Sequence, residues 1–231
     1  MTNILIAITG SDVWTLADGT KHPCGYWPEE LVAPHRVFAA AGAEITLATP
    51  GGVRPVPDQA GFSPEMNGGS AQAGQAHRDY LDSISGEIDK VVKLEDIRPA
   101  DYDAVFIPGG HGPMEDLAVD ESFGAQLVEF VAAGKKVAAV CHGPAGLLAA
   151  RKADGSWLFD GYRLTGFSNE EETQVGFADK APWLLQDKLA DNGGLYESTS
   201  AWAERIVIDR ALYTGQNPAS SQALAQAILS P

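Results

Sequence analysis

The segment that most constrains the fold is residues 137–150, where an apolar run leads into a pattern of small residues and leucines. The run at 137–140 predicts a short strand buried on both faces. Pro144 falls in the first turn of a predicted helix, where its missing N–H costs little. Because a strand that continues directly into a helix leaves a cramped junction, we expect Cys141 to have a strained backbone and a raised side chain.

Cys141 is the strongest candidate for a reactive group. Free N–H groups and the dipole at the start of the following helix are expected to favour a thiolate over a thiol. Gly143 and Gly146 leave room for backbone and substrate to approach. A free cysteine is often a buried, inert residue, but the adjoining His142 and the Gly-Pro pair after it favour a cysteine nucleophile on a sharp strand–helix turn.

The first fifty residues predict a strand, a helix and a second strand. Residues 4–8 form an apolar run, residues 28–41 repeat apolar positions at helical spacing, and residues 43–49 alternate. Such a βαβ unit implies parallel strands and a right-handed crossover. Further strands are predicted at residues 102–107, 137–140, 163–167, 205–209 and 211–214, and further helices at 120–133, 183–192 and 221–229. The pattern predicts an α/β fold with a doubly wound, mostly parallel sheet and helices on both faces.

Residues 51–83 are the least regular part of the chain and are rich in Gly, Pro, Ser and Gln. Because a structureless loop of this length is uncommon in a compact domain, we expect an inserted flap with a short helix around residues 77–81. Such a flap could border an active site or be a plain surface excursion. Residues 11–24 are expected to form a polar loop, and residues 1–231 a single domain.

Composition excludes several classes of function. A formal net charge of -15 argues against binding to nucleic acid and to anionic membranes. No basic segment precedes the apolar run at 4–8, so no signal peptide is predicted and a cytoplasmic location is expected. Two cysteines, Cys24 and Cys141, do not make a disulfide scaffold. The cysteines and the five histidines show no close metal-ligand spacing, so no metal is predicted.

Four groups of residues are expected to meet beyond the carboxyl ends of the strands, where doubly wound sheets bind ligands. They are Glu30, the Gly109-Gly110-His111 turn, the Cys141-His142 pair and the three glutamates at 170–172. A cysteine beside a histidine and a carboxylate suits covalent chemistry on a carbonyl carbon. The N–H groups of Gly110 and His142 could form an oxyanion hole.

The acidic candidates have simpler interpretations as well. At most one of the glutamates at 170–172 is expected to point inward, because the others suit the solvated first turn of a helix that Ser168 or Asn169 caps. Glu30 could likewise be no more than a carboxylate at a helix start. His142 is not automatically the base for Cys141, because neighbouring side chains diverge at a strand–helix turn.

Four motifs carry a family resemblance: Gly109-Gly110-His111-Gly112, Ala139-Val140-Cys141-His142-Gly143-Pro144, Leu164-Thr165-Gly166-Phe167 with Glu172-Thr173, and Thr214-Gly215-Gln216-Asn217-Pro218-Ala219-Ser220. Together they resemble the PfpI-like superfamily, which has the flavodoxin-like fold of class I glutamine amidotransferases. Within it the chain is most similar to the glutathione-independent glyoxalase branch (glyoxalase III, D-lactate dehydratase). That branch also contains proteins described as chaperones and deglycases.

The resemblance implies roles for individual residues. Cys141 matches the family nucleophile, His142 and Glu172 match the other triad members, and Glu30 matches the acidic residue that hydrogen-bonds the cysteine sulfur. Independently of the resemblance, the glycine-rich turn at the end of the strand makes Gly109, Gly110 and His111 candidates for binding the substrate or its oxyanion. The resemblance also implies conversion of methylglyoxal, or a related 2-oxoaldehyde, to D-lactate without cofactor or metal, and a homodimer.

A mechanism follows as a hypothesis. Cys141 adds to the aldehyde carbon to give a hemithioacetal, Glu30 or His142 moves a proton between the two carbons through an enediol, and the thioester is hydrolysed. The helix-start position lowers the pKa of Glu30 and burial raises it, and burial is expected to have the larger effect. Two other functions fit the same residues: a cysteine peptidase or amidase, which a small enclosed pocket would exclude, and a redox-responsive chaperone or stress sensor.

Overall fold

The computed structural model describes residues 2–230. Its strands are β1 (Asn3–Ala7), β2 (Val13–Thr15), β3 (Lys21–Pro23), β4 (Glu44–Thr49), β5 (Val92–Lys93), β6 (Ala104–Ile107), β7 (Lys136–Val140), β8 (Arg163–Leu164), β9 (Leu195–Tyr196), β10 (Ile206–Asp209) and β11 (Leu212–Gly215). Its helices are α1 (Pro28–Ala40), α2 (Ala71–Ser83), α3 (Ser85–Ile88), α4 (Gly112–Glu115), α5 (Glu121–Ala132), α6 (Asn169–Gln174), α7 (Leu185–Asp191) and α8 (Ser221–Leu229).

A seven-stranded sheet in the order β10-β11-β7-β6-β1-β4-β5 forms the centre of the fold. All its neighbouring strands are parallel except β10, which pairs antiparallel with β11 as the second strand of a hairpin. The central strands are apolar and buried along nearly their whole length, as strands covered on both faces must be. The prediction of a doubly wound, mostly parallel α/β fold is confirmed.

The first βαβ unit forms for reasons visible in its sequence. Pro28 lies in the first turn of α1, and Glu29 and Glu30 follow it where the helix dipole favours acidic groups. Gly42 comes after the helix with a positive φ of 71°, which allows the chain to reverse into β4. The buried face of α1 includes Leu31 and Phe38, and the helix packs against α8.

The order of the strands sets the position of the site. The chain passes from β1 through α1 to β4 on one side of β1, whereas β6 and β7 lie on its other side. Loops that leave β1 and β6 in opposite directions open a crevice at the carboxyl ends of these strands. Glu30, the turn after β6 and the turn after β7 therefore converge at this edge.

Several predicted elements differ from the structure. The predicted strand at 163–167 is only the two-residue β8, which pairs with β9 outside the main sheet, because residues 165–168 turn in toward the end of β7, where Phe167 N–H donates to Cys141 O. The helix expected after Cys141 is a 3-10 helix, Gly143–Ala149. Residues 11–24 contain the hairpin β2–β3. In the predicted flap, 3-10 turns at Gln59–Phe62 and Glu65–Asn67 precede α2, which is longer than the predicted helix.

Among residues 2–230, no helix combines the length and the apolar character needed to cross a bilayer.

Candidate active site

Cys141 directly follows β7 and has the strained conformation that its position predicts. Its φ is 59°, a left-handed value that a residue with a side chain rarely adopts. The backbone is held there by a bond from Cys141 N–H to the carbonyl of Gly215 and by one from Phe167 N–H to the carbonyl of Cys141. The thiol lines the cleft but is only 4% exposed.

His142 connects the sulfur to a carboxylate. Its Nδ1 lies 3.4 Å from Cys141 Sγ, and its Nε2 lies 2.6 Å from Oε2 of Glu172, which stands on α6. If Nε2 carries the hydrogen donated to Glu172, Nδ1 is free to accept a proton from the thiol. The structure thus brings together the three predicted triad residues, although His142 directly follows Cys141.

His111 shares the carboxylate of Glu172. Its Nε2 lies 2.9 Å from Oε1 of Glu172, and its ring stacks on Trp14 with the centroids 4.4 Å apart. Burial opposes ionisation of Glu172, but the charges and hydrogen bonds of His142 and His111 outweigh it and hold the pKa of this carboxyl well below its usual value. Burial, and then the charge of His142, lower the pKa of His111. His111 therefore orients Glu172 as well as lining the cleft.

Glu30 approaches the sulfur from the first turn of α1. The side chain is completely buried, and its Oε2 accepts a 2.6 Å hydrogen bond from Gly109 N–H. Within residues 2–230 its Oε1 has no hydrogen-bond partner, and the carboxyl lies close enough to Cys141 for each group to affect the pKa of the other. Burial raises the pKa of Glu30 well above its usual value, which agrees with the expectation. Burial therefore favours the protonated form of this carboxyl.

The expectation that Cys141 is poised as a thiolate is wrong. Burial, followed by the nearby Glu30, raises the pKa of the thiol well above its ordinary value. The 3-10 helix of seven residues after Cys141 does not offset these effects, and only the N–H of Gly110 counts among the main groups that favour the charged sulfur. The free sulfur is a thiol that needs a base.

Of the predicted oxyanion donors, the N–H groups of Gly110 and His142 are available near the sulfur, whereas that of Gly109 is not. Gly110 N–H lies near enough to Cys141 to favour the charged sulfur, and within residues 2–230 the His142 N–H has no hydrogen-bond acceptor. Gly109 N–H is already donated to Glu30 and is therefore not free to bind a substrate oxygen, contrary to the expectation. Gly110 has a φ of 85°, and a Cβ there would overlap the carbonyl of Gly25, so only glycine fits.

Two of the three consecutive glutamates point inward, not one as expected. Glu170 is exposed, but both Glu171 and Glu172 are buried. Glu171 has its own set of donors, so that a second inward carboxylate is stabilised without a cation. These donors are the Ser168 backbone and hydroxyl, the Trp202 N–H, and the side-chain amides of Gln216 and Asn217. The Ser168-x-x-Glu171 spacing of a capping box was the sequence signal for it.

Glu171→Ala is expected to destabilise the protein by about 3 kcal/mol, because it leaves several buried donors without an acceptor. For a chain of this size that free energy lowers Tm by about 10 °C, which thermal unfolding followed by circular dichroism measures. Glu170→Ala is the matched control, since the neighbouring carboxylate is exposed, and it should shift Tm by no more than a degree or two. Equal shifts for the two variants would contradict the structural role of Glu171.

The site that contains Cys141 and His142 opens onto a cleft of about 1170 Å³. Residues 56–60 and 65–66 of the predicted flap line it, so this insertion borders the site and is not a plain surface excursion. The cleft is larger than the small enclosed pocket that would exclude a peptide. Cys24 also lines it; both cysteines are free, and burial raises the pKa of Cys24 to about 12.

Within residues 2–230 the fold brings together a group of potential metal ligands that sequence spacing did not predict. Ligand atoms of His111, His142 and Glu172 lie within 4.8 Å of one another. Hydrogen bonds from the two imidazoles to the shared carboxylate account for this proximity, so the triad geometry is explained without an ion.

A doubly wound sheet with a cysteine on a strand–helix turn, beside a histidine and a carboxylate, defines the glutamine amidotransferase-like class of α/β proteins. The family model described as DJ-1/PfpI matches residues 25–231, and the chain belongs to this family. The resemblance stated from the four motifs is confirmed.

Relatives of known sequence and structure agree with this assignment. Human "Glutamine amidotransferase-like class 1 domain-containing protein 1" is 39% identical over 138 residues, a match that covers 59% of this chain and only 62% of that protein. Candida albicans "Glyoxalase 3" is 28% identical over 99% of this chain and 98% of its own length. The glyoxalase III crystal structure from the same organism aligns with a TM-score of 0.83, at 26% identity over 99% of this chain and 96% of that one. Francisella tularensis Rapid Encystment Protein 24 kDa aligns with a TM-score of 0.86, at 29% identity over 99% and 97% of the two chains.

Proposed function

We propose that the protein is a glutathione-independent glyoxalase that converts methylglyoxal or a related 2-oxoaldehyde to a 2-hydroxy acid. The observation that carries this proposal is the environment of one sulfur: His142 Nδ1 lies 3.4 Å from Cys141 Sγ, and the buried carboxyl of Glu30, whose pKa burial raises, lies beside it. The similarity to glyoxalase 3 over nearly the full length of both chains supports the same reaction.

The first step is addition of Cys141 to the aldehyde carbon. Because the thiol is not ionised, His142 Nδ1 takes its proton as the sulfur attacks, and Glu172 stabilises the imidazolium that forms. Glu30 gives its proton to the aldehyde oxygen, and the N–H groups of Gly110 and His142 stabilise the charge that develops there. The product is a hemithioacetal, and Glu30 is left as a carboxylate.

The second step moves a hydrogen between the two carbons. The Glu30 carboxylate removes the proton from the first carbon, while the imidazolium of His142 protonates the oxygen of the second, which gives an enediol. Glu30 then returns its proton to the second carbon, and the hydroxyl on the first carbon loses its proton as the thioester forms. That proton restores the Glu30 carboxyl.

The last step is hydrolysis of the thioester. His142 takes a proton from water, the hydroxide adds to the carbonyl carbon, and collapse of the adduct releases the 2-hydroxy acid and regenerates the thiol. The sum is one aldehyde plus one water giving one hydroxy acid, with no external oxidant or reductant. Amide hydrolysis needs only the Cys–His–Glu side of the site, so the position of Glu30 favours the glyoxalase over a peptidase.

The test is product formation without glutathione. Purified protein mixed with methylglyoxal should produce D-lactate, detected with D-lactate dehydrogenase, and prior treatment with a chelator should leave the rate unchanged. In heavy water, transfer by one carboxyl predicts that part of the hydrogen on the second carbon of lactate comes from the substrate. Absence of lactate, or formation of racemic lactate at the rate seen without protein, would overturn the proposal.

A further inference from the structure

The cleft is much larger than a three-carbon aldehyde needs. Its volume of about 1170 Å³ exceeds the range of roughly 300–1,000 Å³ that is typical of sites for drug-sized ligands. A molecule with five heavy atoms bound to Cys141 would fill a small fraction of it. The remaining space lies beyond the sulfur, between the flap and the segments that follow β8 and α6.

Aromatic rings form much of the wall of this space. The lining includes Trp27, Phe167, Phe177 and Trp202. Phe167 and Trp202 meet edge to face with their centroids 5.7 Å apart, and Phe177 packs at 4.5 Å against His22. Faces and edges of aromatic rings attract flat apolar groups and, through their quadrupoles, cations.

Carboxylates are the charged groups of the lining. Asp12, Glu29, Asp58 and Glu65 line the cleft, and within residues 2–230 none of its lining residues is a lysine or an arginine. Lys180 lies outside the lining, with its Nζ 5.3 Å from the centre of the Phe177 ring. A cleft with aromatic walls and unbalanced negative charge has the composition of sites that bind organic cations.

Among these carboxylates, Asp58 gives the strongest evidence that the cleft binds a ligand. It is only 8% exposed, and Oδ1 accepts a hydrogen bond from Ala60 N–H at the start of a 3-10 turn. Oδ2 accepts no hydrogen bond, and no lysine, arginine or histidine of residues 2–230 lies within ion-pair distance of the side chain. Oδ2 therefore stays open to the cleft, where a bound cation would meet a carboxylate oxygen that no protein group occupies.

We propose that the cleft selects 2-oxoaldehydes whose body carries a positively charged group, held between the aromatic wall and Asp58. This selectivity rests on the proposed glyoxalase reaction and adds to it the class of substrate. A substrate of the same size with a negative charge is disfavoured, because it meets the four carboxylates while no lysine or arginine stands in the described lining.

The test compares arylglyoxals that differ in charge. The substrates are 4-trimethylammonio-, 4-nitro- and 4-carboxyphenylglyoxal; the nitro compound matches the cation in electron withdrawal, so their difference reports charge. At low salt, kcat/KM for the cation should exceed that for the nitro compound by about tenfold, and the carboxylate should be slower than either. The preference should shrink as salt is added, because exposed charges such as Asp12 and Glu65 are screened.

Asp58→Asn is the decisive variant. Asparagine keeps an oxygen for the Ala60 N–H, and the ratio of kcat/KM between cation and nitro compound should fall at least about threefold. Asp82→Asn, which removes the same charge from an exposed position on α2 outside the lining, should leave the ratio unchanged. Equal kcat/KM for cation and nitro compound, or equal ratios in the two variants, would overturn the proposed selectivity.

A binding measurement separates this inference from the proposed function. Calorimetry with phenyltrimethylammonium should show binding to the wild type and weaker binding to Asp58→Asn, whether or not any aldehyde is turned over. Binding of the cation without turnover of methylglyoxal would overturn the glyoxalase and leave the cation site standing. Turnover of methylglyoxal without binding of the cation would overturn the cation site alone.

Discussion

Replacing Cys141 by serine is expected to lower kcat/KM for methylglyoxal by about three orders of magnitude or more. The hydroxyl of serine is a much weaker acid than a thiol, and the buried position that raises the pKa of Cys141 raises that of serine further. Serine has nearly the volume of cysteine, and the backbone bond to Gly215 that holds the strained turn is unaffected. The rate of D-lactate formation measures the loss.

Cys24→Ser is the matched control for this variant. Cys24 lines the same cleft and is also a buried free thiol, with a pKa raised to about 12. It should retain most of the wild-type activity. Mass spectrometry of protein mixed with methylglyoxal adds a second readout, because the adduct should be found on the Cys141 peptide and be absent from Cys141→Ser. Wild-type activity in Cys141→Ser would exclude the sulfur as nucleophile.

The elements that sequence could predict are those with local causes. The apolar strands, the proline at the start of α1 and the glycine after it act within a few residues. The sharp turn at Cys141 also has a local cause, because an apolar run followed by a Gly-Pro pair constrains the backbone of the residues between them. Convergence of Glu30 and Cys141 also follows from topology, because parallel strands place their following loops at one edge. Glu172 is different, because it follows β8 outside the main sheet and reaches the site through the turn that joins Phe167 N–H to Cys141 O.

The predictions that were wrong concern features that depend on contacts between residues far apart in the chain. Glu171 is buried because the amide of Asn217, 46 residues later, reaches it, and nothing in three successive glutamates predicts that partner. The pKa of the Cys141 thiol is raised first by burial and then by Glu30, whose carboxyl is held by the N–H of Gly109, 79 residues further on. Burial that arises from tertiary packing outweighs the local effect of a helix start.

The hairpin β2–β3 was missed although a local signal was present. The Asp18-Gly19 pair between two short runs is typical of hairpin turns. The consequence of the hairpin is not local, because it places Trp14 against the ring of His111. Sequence could therefore have predicted the hairpin, but not that one of its side chains supports the residue that orients Glu172.

Glu30→Gln is expected to lower kcat/KM by about two to three orders of magnitude, because glutamine can neither give nor take the proton that moves between the two carbons. The amide oxygen of glutamine can still accept the hydrogen bond from Gly109 N–H, so the turn after β6 should keep its shape. D-lactate formation measures the loss. Glu129→Gln, at an exposed position on α5, is the control and should retain wild-type activity.

The same pair of proteins tests whether Glu30 holds a proton in the folded state. Because burial raises its pKa above the unfolded value, the native protein binds more protons than the unfolded chain between those two pKa values. The contribution of Glu30 to the free energy of unfolding is therefore complete below the unfolded pKa and is lost as pH rises toward the folded one. Glutamine does not ionise, so the stability of Glu30→Gln relative to wild type should increase between about pH 5 and pH 8.

Denaturant unfolding of wild type, Glu30→Gln and Glu129→Gln at both pH values measures this difference. Only Glu30→Gln should increase in free energy of unfolding relative to wild type as pH rises. A variant that is less active and equally less stable at every pH would show that Glu30 acts through packing alone. A pH-dependent gain together with full activity would show a buried acid that holds a proton without transferring it, and either result would contradict the role proposed for Glu30 in moving the substrate hydrogen.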